Sequence, residues 1–225
     1  MALSTNTTIV VYNGNEINAP SAASISAVLA KYKLDLSDIQ ISQIQCYIAC
    51  LVFWNQRVSL TSVTSPTDIL ERHFAESMLG SSIIDRPDGR LADVGTGPGF
   101  PGLALKISLP LLQVFLIERN TKKCAFLNEV VRFANLDQVR VIHSDYASIP
   151  PSENKIDYIT ARALGDHKDL LRWAAGRLSQ SGKIILWLGT QDSVKLSHTK
   201  GWQWEPPMPL PHSQRRVILV GRPIL

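Results

Sequence analysis

The residues best suited to chemistry in this chain form the run Asp93-Val94-Gly95-Thr96-Gly97-Pro98-Gly99-Phe100-Pro101-Gly102. Glycines let a backbone turn sharply and approach a ligand closely. Gly97 to Gly102 match the G-x-G-x-x-G pattern of dinucleotide-binding loops. The run follows a segment of strand character and precedes one of helix character. In such folds a ligand lies at the carboxyl ends of the strands. Taken alone, the glycines Gly95, Gly97 and Gly99 fit either a dinucleotide or S-adenosylmethionine. Two neighbours favour S-adenosylmethionine. Asp93 stands just before the first glycine, where a carboxylate can hold an amino group, directly or through water, but would repel a pyrophosphate. Pro98 and Pro101 stiffen the loop and remove N–H donors that a diphosphate would use.

Further chemistry follows downstream. Glu118 ends the next strand-like segment after the glycines, where a carboxylate accepts hydrogen bonds from ribose hydroxyls. His143-Ser144-Asp145-Tyr146-Ala147 ends a third segment and is expected beside the base. There Asp145 would meet an exocyclic amine, and backbone groups of Tyr146 and Ala147 the ring. The Tyr146 ring could pack on its face; a plain loop is the alternative. Arg162 closes a fourth segment and faces a cofactor or an RNA phosphate, or else forms a structural ion pair. No catalytic dyad stands out, since His73, His143 and His167 are scattered. Cys46 and Cys50 share a helix face without a His, Asp or Glu to complete a metal site, so core packing is expected and no metal.

The elements that position these residues read in two parts. From Arg90 onward strands and helices alternate: strands at 91–94, 114–117, 139–143, 156–160 and 183–188, helices at 103–108, 121–134 and 167–178. Such alternation predicts an α/β, Rossmann-like fold, a mostly parallel sheet with helices on both faces. A last strand at 216–220 is expected, antiparallel if it turns back. Residues 1–20 look weakly structured, with one strand at 8–12 ending at Asn13-Gly14. Helices are expected at 21–32, after the caps Ser37 and Asp38, and from Pro66. Residues 1–85 therefore read as an N-terminal helical extension and 86–225 as the ligand-binding domain.

The chain has 225 residues and a net charge of +4, unevenly spread. Residues 1–85 carry −3, residues 86–225 carry +7. This asymmetry fits a polyanionic partner or an ordinary basic surface. Three cysteines at these spacings are no disulfide framework and suit a reducing cytoplasm. The uncharged stretch 39–56 is interrupted by Gln40, Gln43 and Gln45, too polar for a membrane span. Nor do the polar first residues read as a secretory signal. A cytoplasmic monomer without membrane contact is expected.

With these residues placed, the chain resembles the glucose-inhibited division protein B family, RsmG, whose members methylate guanine N7 in small-subunit ribosomal RNA. The resemblance runs from about Ser37 to Val220. It is carried by Asp93 to Gly102, with support from Trp54-Asn55, Leu60-Thr61-Ser62-Val63, Arg72-His73, Arg162-Ala163 and Arg215-Arg216. It implies a class I methyltransferase with cofactor contacts at Gly95, Phe100, Tyr146, Ala147 and Arg162. It also implies a guanosine of 16S rRNA as acceptor, in free RNA or in the small subunit. Arg72, His73, Lys122, Lys123, Arg215 and Arg216 are the RNA-contact candidates. Ser59, Glu76, Ala161 and Leu188 depart from the family pattern on the substrate side. A small-molecule or protein acceptor is the alternative reading.

Overall fold

A computed structural model describes residues 6–150, 155–165, 167–211 and 213–224. The chain opens with a hairpin in which β1 (Thr7–Tyr12) pairs antiparallel with β2 (Asn15–Pro20). Asn13 and Gly14 turn it with φ 48 and φ 74 degrees. Both lie in the left-handed region that a two-residue hairpin turn requires. Helix α1 (Ala22–Ala30) starts on the cap Ser21. The longer α2 (Asp38–Asn55) starts on a capping box between Ser37 and Gln40. Ser65 caps α3 (Pro66–Ile69), with proline in the first turn. The segment continues through a π-helical turn at Leu70–Ala75 into α4 (Glu76–Met78) and a 3-10 turn at Leu79–Ile83.

The main sheet has strand order β5-β4-β3-β6-β7-β10-β8, with β9 also against β10. Five strands are parallel: β3 (Arg90–Val94), β4 (Gln113–Glu118), β5 (Val139–His143), β6 (Ile156–Arg162) and β7 (Leu178–Gly189). The last strand β10 (Arg216–Pro223) runs antiparallel to β7, and to β8 (Trp202–Trp204) and β9 (Met208–Pro209). One face is covered by α2, the 66–83 segment, α5 (Gly102–Ser108) and α6 (Thr121–Phe133), through Tyr47, Phe74, Leu103, Leu116 and Phe126. The other carries α7 (His167–Ala175) and α8 (Thr190–Leu196), through Val94, Ile159, Leu171, Leu186 and Leu219. The Rossmann-like fold is thus observed, with helices on both faces. The chain winds from β3 to β5 in one direction and resumes at β6 in the other. The β3/β6 boundary is therefore the switch point at which such sheets bind ligands.

The departures from expectation are local. Strand β2 joins β1 where the sequence suggested little order, and α8, β8 and β9 were not anticipated. The helix expected at 167–178 stops at Ala175, and Leu178 already belongs to β7.

Candidate functional site

The glycine loop is built on Asp93, at the end of β3. Its side chain is fully buried and accepts hydrogen bonds from Thr96 Oγ1, from Gly102 N at 2.9 Å and from Thr160 Oγ1 at 2.8 Å. Burial pushes its carboxyl up to about 6 against these hydrogen bonds. Asp93 was expected to hold the ligand's amino group; the structure places it beneath the loop with its oxygens occupied. These three hydrogen bonds hold the fold of the loop. At Gly95, φ is 63°, and a Cβ would come within 2.5 Å of Leu164 Cδ1. Glycine meets both demands without strain.

Phe100 also departs from expectation. It is buried beneath the loop rather than facing the cleft, stacked on Tyr47 at 5.1 Å and on His73 at 4.9 Å. The Tyr47 hydroxyl donates to the Pro98 carbonyl, so α2 clamps the loop from below. The Phe100–Pro101 peptide is cis.

The next strand completes the cradle. Glu118 Oε2 accepts from Gly97 N at 3.0 Å, and Oε1 from Asn120 N at 2.9 Å. Each oxygen keeps a lone-pair direction for a ligand. Asn120 caps α6 by accepting from the backbone N–H groups of Lys122 and Lys123. A cleft of about 630 Å³ opens here, within the usual range for cofactor sites. Gly95, Ile117, Glu118, Asp145, Tyr146 and Ala147 line it, as do Arg119, Lys123, Leu164 and Asp169. Asp145 Oδ1 accepts from Ala147 N at 3.0 Å, and its other oxygen stands 3.8 Å from Arg119. The Tyr146 ring meets Trp173 edge-on at 5.6 Å.

The cleft thus gathers Gly95, Glu118, Asp145, Tyr146 and Ala147 from separate strand ends. Gly97 reaches its edge through Glu118, while Gly99 turns at φ 99° above Tyr47 and Leu103. Leu164 and Asp169 were not foreseen. Ala163, at φ 56°, swings the chain after β6 back over Gly95, and no composition signal marks that turn.

Arg162 lies elsewhere. It donates to the Arg72 carbonyl at 2.9 Å and to Glu76 Oε2 at 3.3 Å, the ion-pair alternative. Arg216 Nη1 reaches the same oxygen at 2.8 Å. Glu76 is almost fully buried, and its backbone carbonyl accepts from Trp187 Nε1 at 2.9 Å. Beside this cluster, Asn55 folds the 60–61 turn by accepting from Leu60 N and Thr61 N. Thr61 Oγ1 then meets His73 Nε2 at 2.9 Å. Burial, with Arg162 and Arg72 nearby, pulls the His73 imidazole down to about 3. His73 is therefore a neutral ring. Of the other RNA-contact candidates, Arg72, Lys122 and Arg215 are exposed, whereas Lys123 and Arg216 are half-buried.

Among the described residues no group of three His, Cys, Asp or Glu could hold a metal ion, and no helix is long and apolar enough to cross a membrane. Cys50 is buried in the core, and Cys46 is half-buried against it.

Among solved structures, a ribosomal protein L11 methylase from Lactobacillus delbrueckii subsp. bulgaricus superposes with a TM-score of 0.57 at 19% identity, covering 68% of this chain and 79% of that one. A SAM dependent methyltransferase from Aquifex aeolicus gives 0.57 at 16% identity, over 70% and 93%. These likenesses establish the fold. In sequence, the ribosomal RNA small subunit methyltransferase G of Desulfitobacterium hafniense is 35% identical over 76% of this chain and 72% of its own. That of Syntrophus aciditrophicus is 38% identical over 71% and 68%. The family model for rRNA small subunit methyltransferase G matches residues 40–203, and the chain belongs to that family, GidB.

Proposed function

We propose that the protein transfers a methyl group from S-adenosylmethionine to N7 of a guanosine in 16S ribosomal RNA. One observation carries the reading: a glycine loop anchored on Asp93 and tied through Gly97 to Glu118 borders an open cleft at the switch point of the sheet. The relatives' names support the RNA acceptor. S-adenosylmethionine supplies an electrophilic methyl group when bound. In this assignment Glu118 holds the ribose hydroxyls through its remaining lone pairs. Asp145, Tyr146 and Ala147 border the adenine, and Gly95 lets the backbone approach closely. Guanine N7 carries no proton, so the protein has to align the acceptor, and no general base is required. Arg72, Lys122, Lys123, Arg215 and Arg216 attract the RNA backbone. Residues 86–225 form the methyltransferase domain and residues 1–85 its extension, acting as a cytoplasmic monomer.

Calorimetry with S-adenosylhomocysteine, followed by mass spectrometry of small ribosomal subunits incubated with the protein and S-adenosylmethionine, tests this. One new 7-methylguanosine is the expected product. Binding of the cofactor product with methyl transfer only to a small molecule or a protein would replace the acceptor and keep the chemistry.

A further inference from the structure

The crossovers from β3 to β4, β4 to β5 and β6 to β7 each carry a helix: α5, α6 and α7. Between β5 and β6 the described residues hold a single 3-10 turn, Tyr146–Ser148. Phe115 and Ile142 alternate onto the sheet face shared with α7, yet both stay half-buried. A parallel sheet is ordinarily covered on both faces. Here the face opens as a second cleft of about 250 Å³, floored by Phe115 and Ile142 and walled by Arg90, Arg140, Trp173 and Arg177. It adjoins the candidate cofactor cleft, since Ile117 lines both.

The charge in this second cleft is of one sign. Among the described residues no Asp or Glu lines it, and none of its three arginine side chains pairs with a carboxylate. The Arg90 guanidinium lies over the Phe115 ring at 5.1 Å and donates to the Lys155 carbonyl, while the Arg90 backbone N–H donates to Asp157 Oδ2 at 2.9 Å. Arg177 lies over Trp173 at 4.4 Å and donates to the carbonyls of Trp173 and Ile149. Arg140 is exposed. Two buried donors on the same wall, Trp173 Nε1 and Arg177 Nε, have no acceptor. Buried N–H groups ordinarily have one.

We propose that this cleft binds a single-stranded segment of RNA beside the candidate cofactor cleft, with a phosphate on Arg140 and an unstacked base over the guanidinium-covered rings. The inference rests on the RNA reading above. Cations without counter-ions draw phosphates. Guanidinium planes and aromatic rings are the surfaces on which splayed bases stack. An acidic peptide would use the charges but has no need of such flat plates.

The test uses the full chain and the variants Arg140→Glu, Arg140→Ala and Arg140→Lys, with circular dichroism confirming the fold. Methyl transfer to small subunits and binding to protein-free 16S rRNA are measured across salt concentrations. For Arg140→Ala and Arg140→Glu we expect KM for RNA to rise about fivefold or more, with kcat and S-adenosylhomocysteine affinity retained. The slope of log affinity against log salt should shrink by about 0.7, the value for one single-strand phosphate contact. Arg140→Lys should keep the slope and lose part of the affinity. Variants equal to wild type in KM and slope, while the wild type still methylates rRNA, would overturn this inference and leave the proposed function standing. Weaker binding to assembled subunits with unchanged binding to protein-free RNA would give the cleft to a protein partner and overturn it too. If the wild type neither binds nor methylates rRNA, the functional reading falls first and this inference with it.

Discussion

At Asp93 one carboxylate takes three hydrogen bonds that hold both ends of the glycine loop, and none of its atoms faces the cleft. Replacing it by asparagine keeps an amide oxygen for Thr96 and Gly102, and Thr160 can turn its hydroxyl to accept. Asp93→Asn should therefore retain S-adenosylhomocysteine binding within a few-fold. Asp93→Ala leaves the buried Gly102 N–H without an acceptor, which costs about 1–3 kcal/mol. A lowered denaturation midpoint with weakened cofactor-product binding is expected; alanine binding as tightly as wild type would show the loop holds without this anchor. His73 gives a prediction in pH. Its folded pKa of about 3 lies below the ordinary value of 6.5, so acid protonates the unfolded chain first. The stability present above pH 6.5 should be lost as pH falls from there towards about 3. His73→Gln, which can still bond Thr61, should flatten that part of the profile in urea titrations at successive pH values. An unchanged slope would mean that the imidazole is accessible to protons in the folded state.

The helical segment from Pro66 to Ile83 shows how an element serves the site. Its π-helical turn precedes Glu76, whose carboxylate joins Arg162 at the end of β6 to Arg216 at the start of β10. Removing one partner of a buried ion pair leaves charge uncompensated, at roughly 3 kcal/mol. Glu76→Ala should lose about that much in chemical denaturation, and Glu76→Asp clearly less. Equal losses would mean that packing, not charge, is what Glu76 supplies. Capping and turn signals made part of the framework legible in the sequence: Ser37, Pro66 and the Asn13-Gly14 turn all act as their types suggest. The π-helical turn was not legible, because Glu76 answers to Arg216, 140 positions away. Strand β2 hid behind Asn15, Glu16, Asn18 and Pro20, poor strand formers held in place by the turn and by burial of Ile17 and Ala19. The cleft itself was legible where backbone chemistry dictates residue type: Gly95 and Glu118 both line it. Where the side chains of Asp93, Phe100 and Arg162 lie was not legible, because side-chain direction depends on neighbours distant in sequence.

At the scale of the whole molecule residues 1–85 and residues 86–225 share one hydrophobic core. Tyr47 on α2 lies fully buried against Phe74, Phe100 and Phe126, and its hydroxyl holds the Pro98 carbonyl. Gln40 Nε2 ties the start of α2 to the Ile107 carbonyl at the end of α5, at 2.6 Å. Trp54 meets Phe126 edge-on, and Tyr12 of the hairpin donates to Glu129 on α6. Cutting the chain after Asp85 would bare the apolar sides of α5 and α6. It would also unclamp the glycine loop and remove Glu76 from Arg162 and Arg216. Exposing a face of that kind leaves an aggregation-prone surface. Residues 86–225 alone should therefore lack cooperative thermal unfolding and near-ultraviolet dichroism, and should not bind S-adenosylhomocysteine in calorimetry. The opposite result, a cooperatively folded fragment with the affinity of the full chain, would make residues 1–85 a separable attachment. A milder probe acts on the same link: Tyr47→Phe removes only the bond to Pro98, worth about 1 kcal/mol net. It should leave the fold intact and weaken cofactor-product binding a few-fold, because the loop then loses its hold on α2 while its anchors on Asp93 and Glu118 remain.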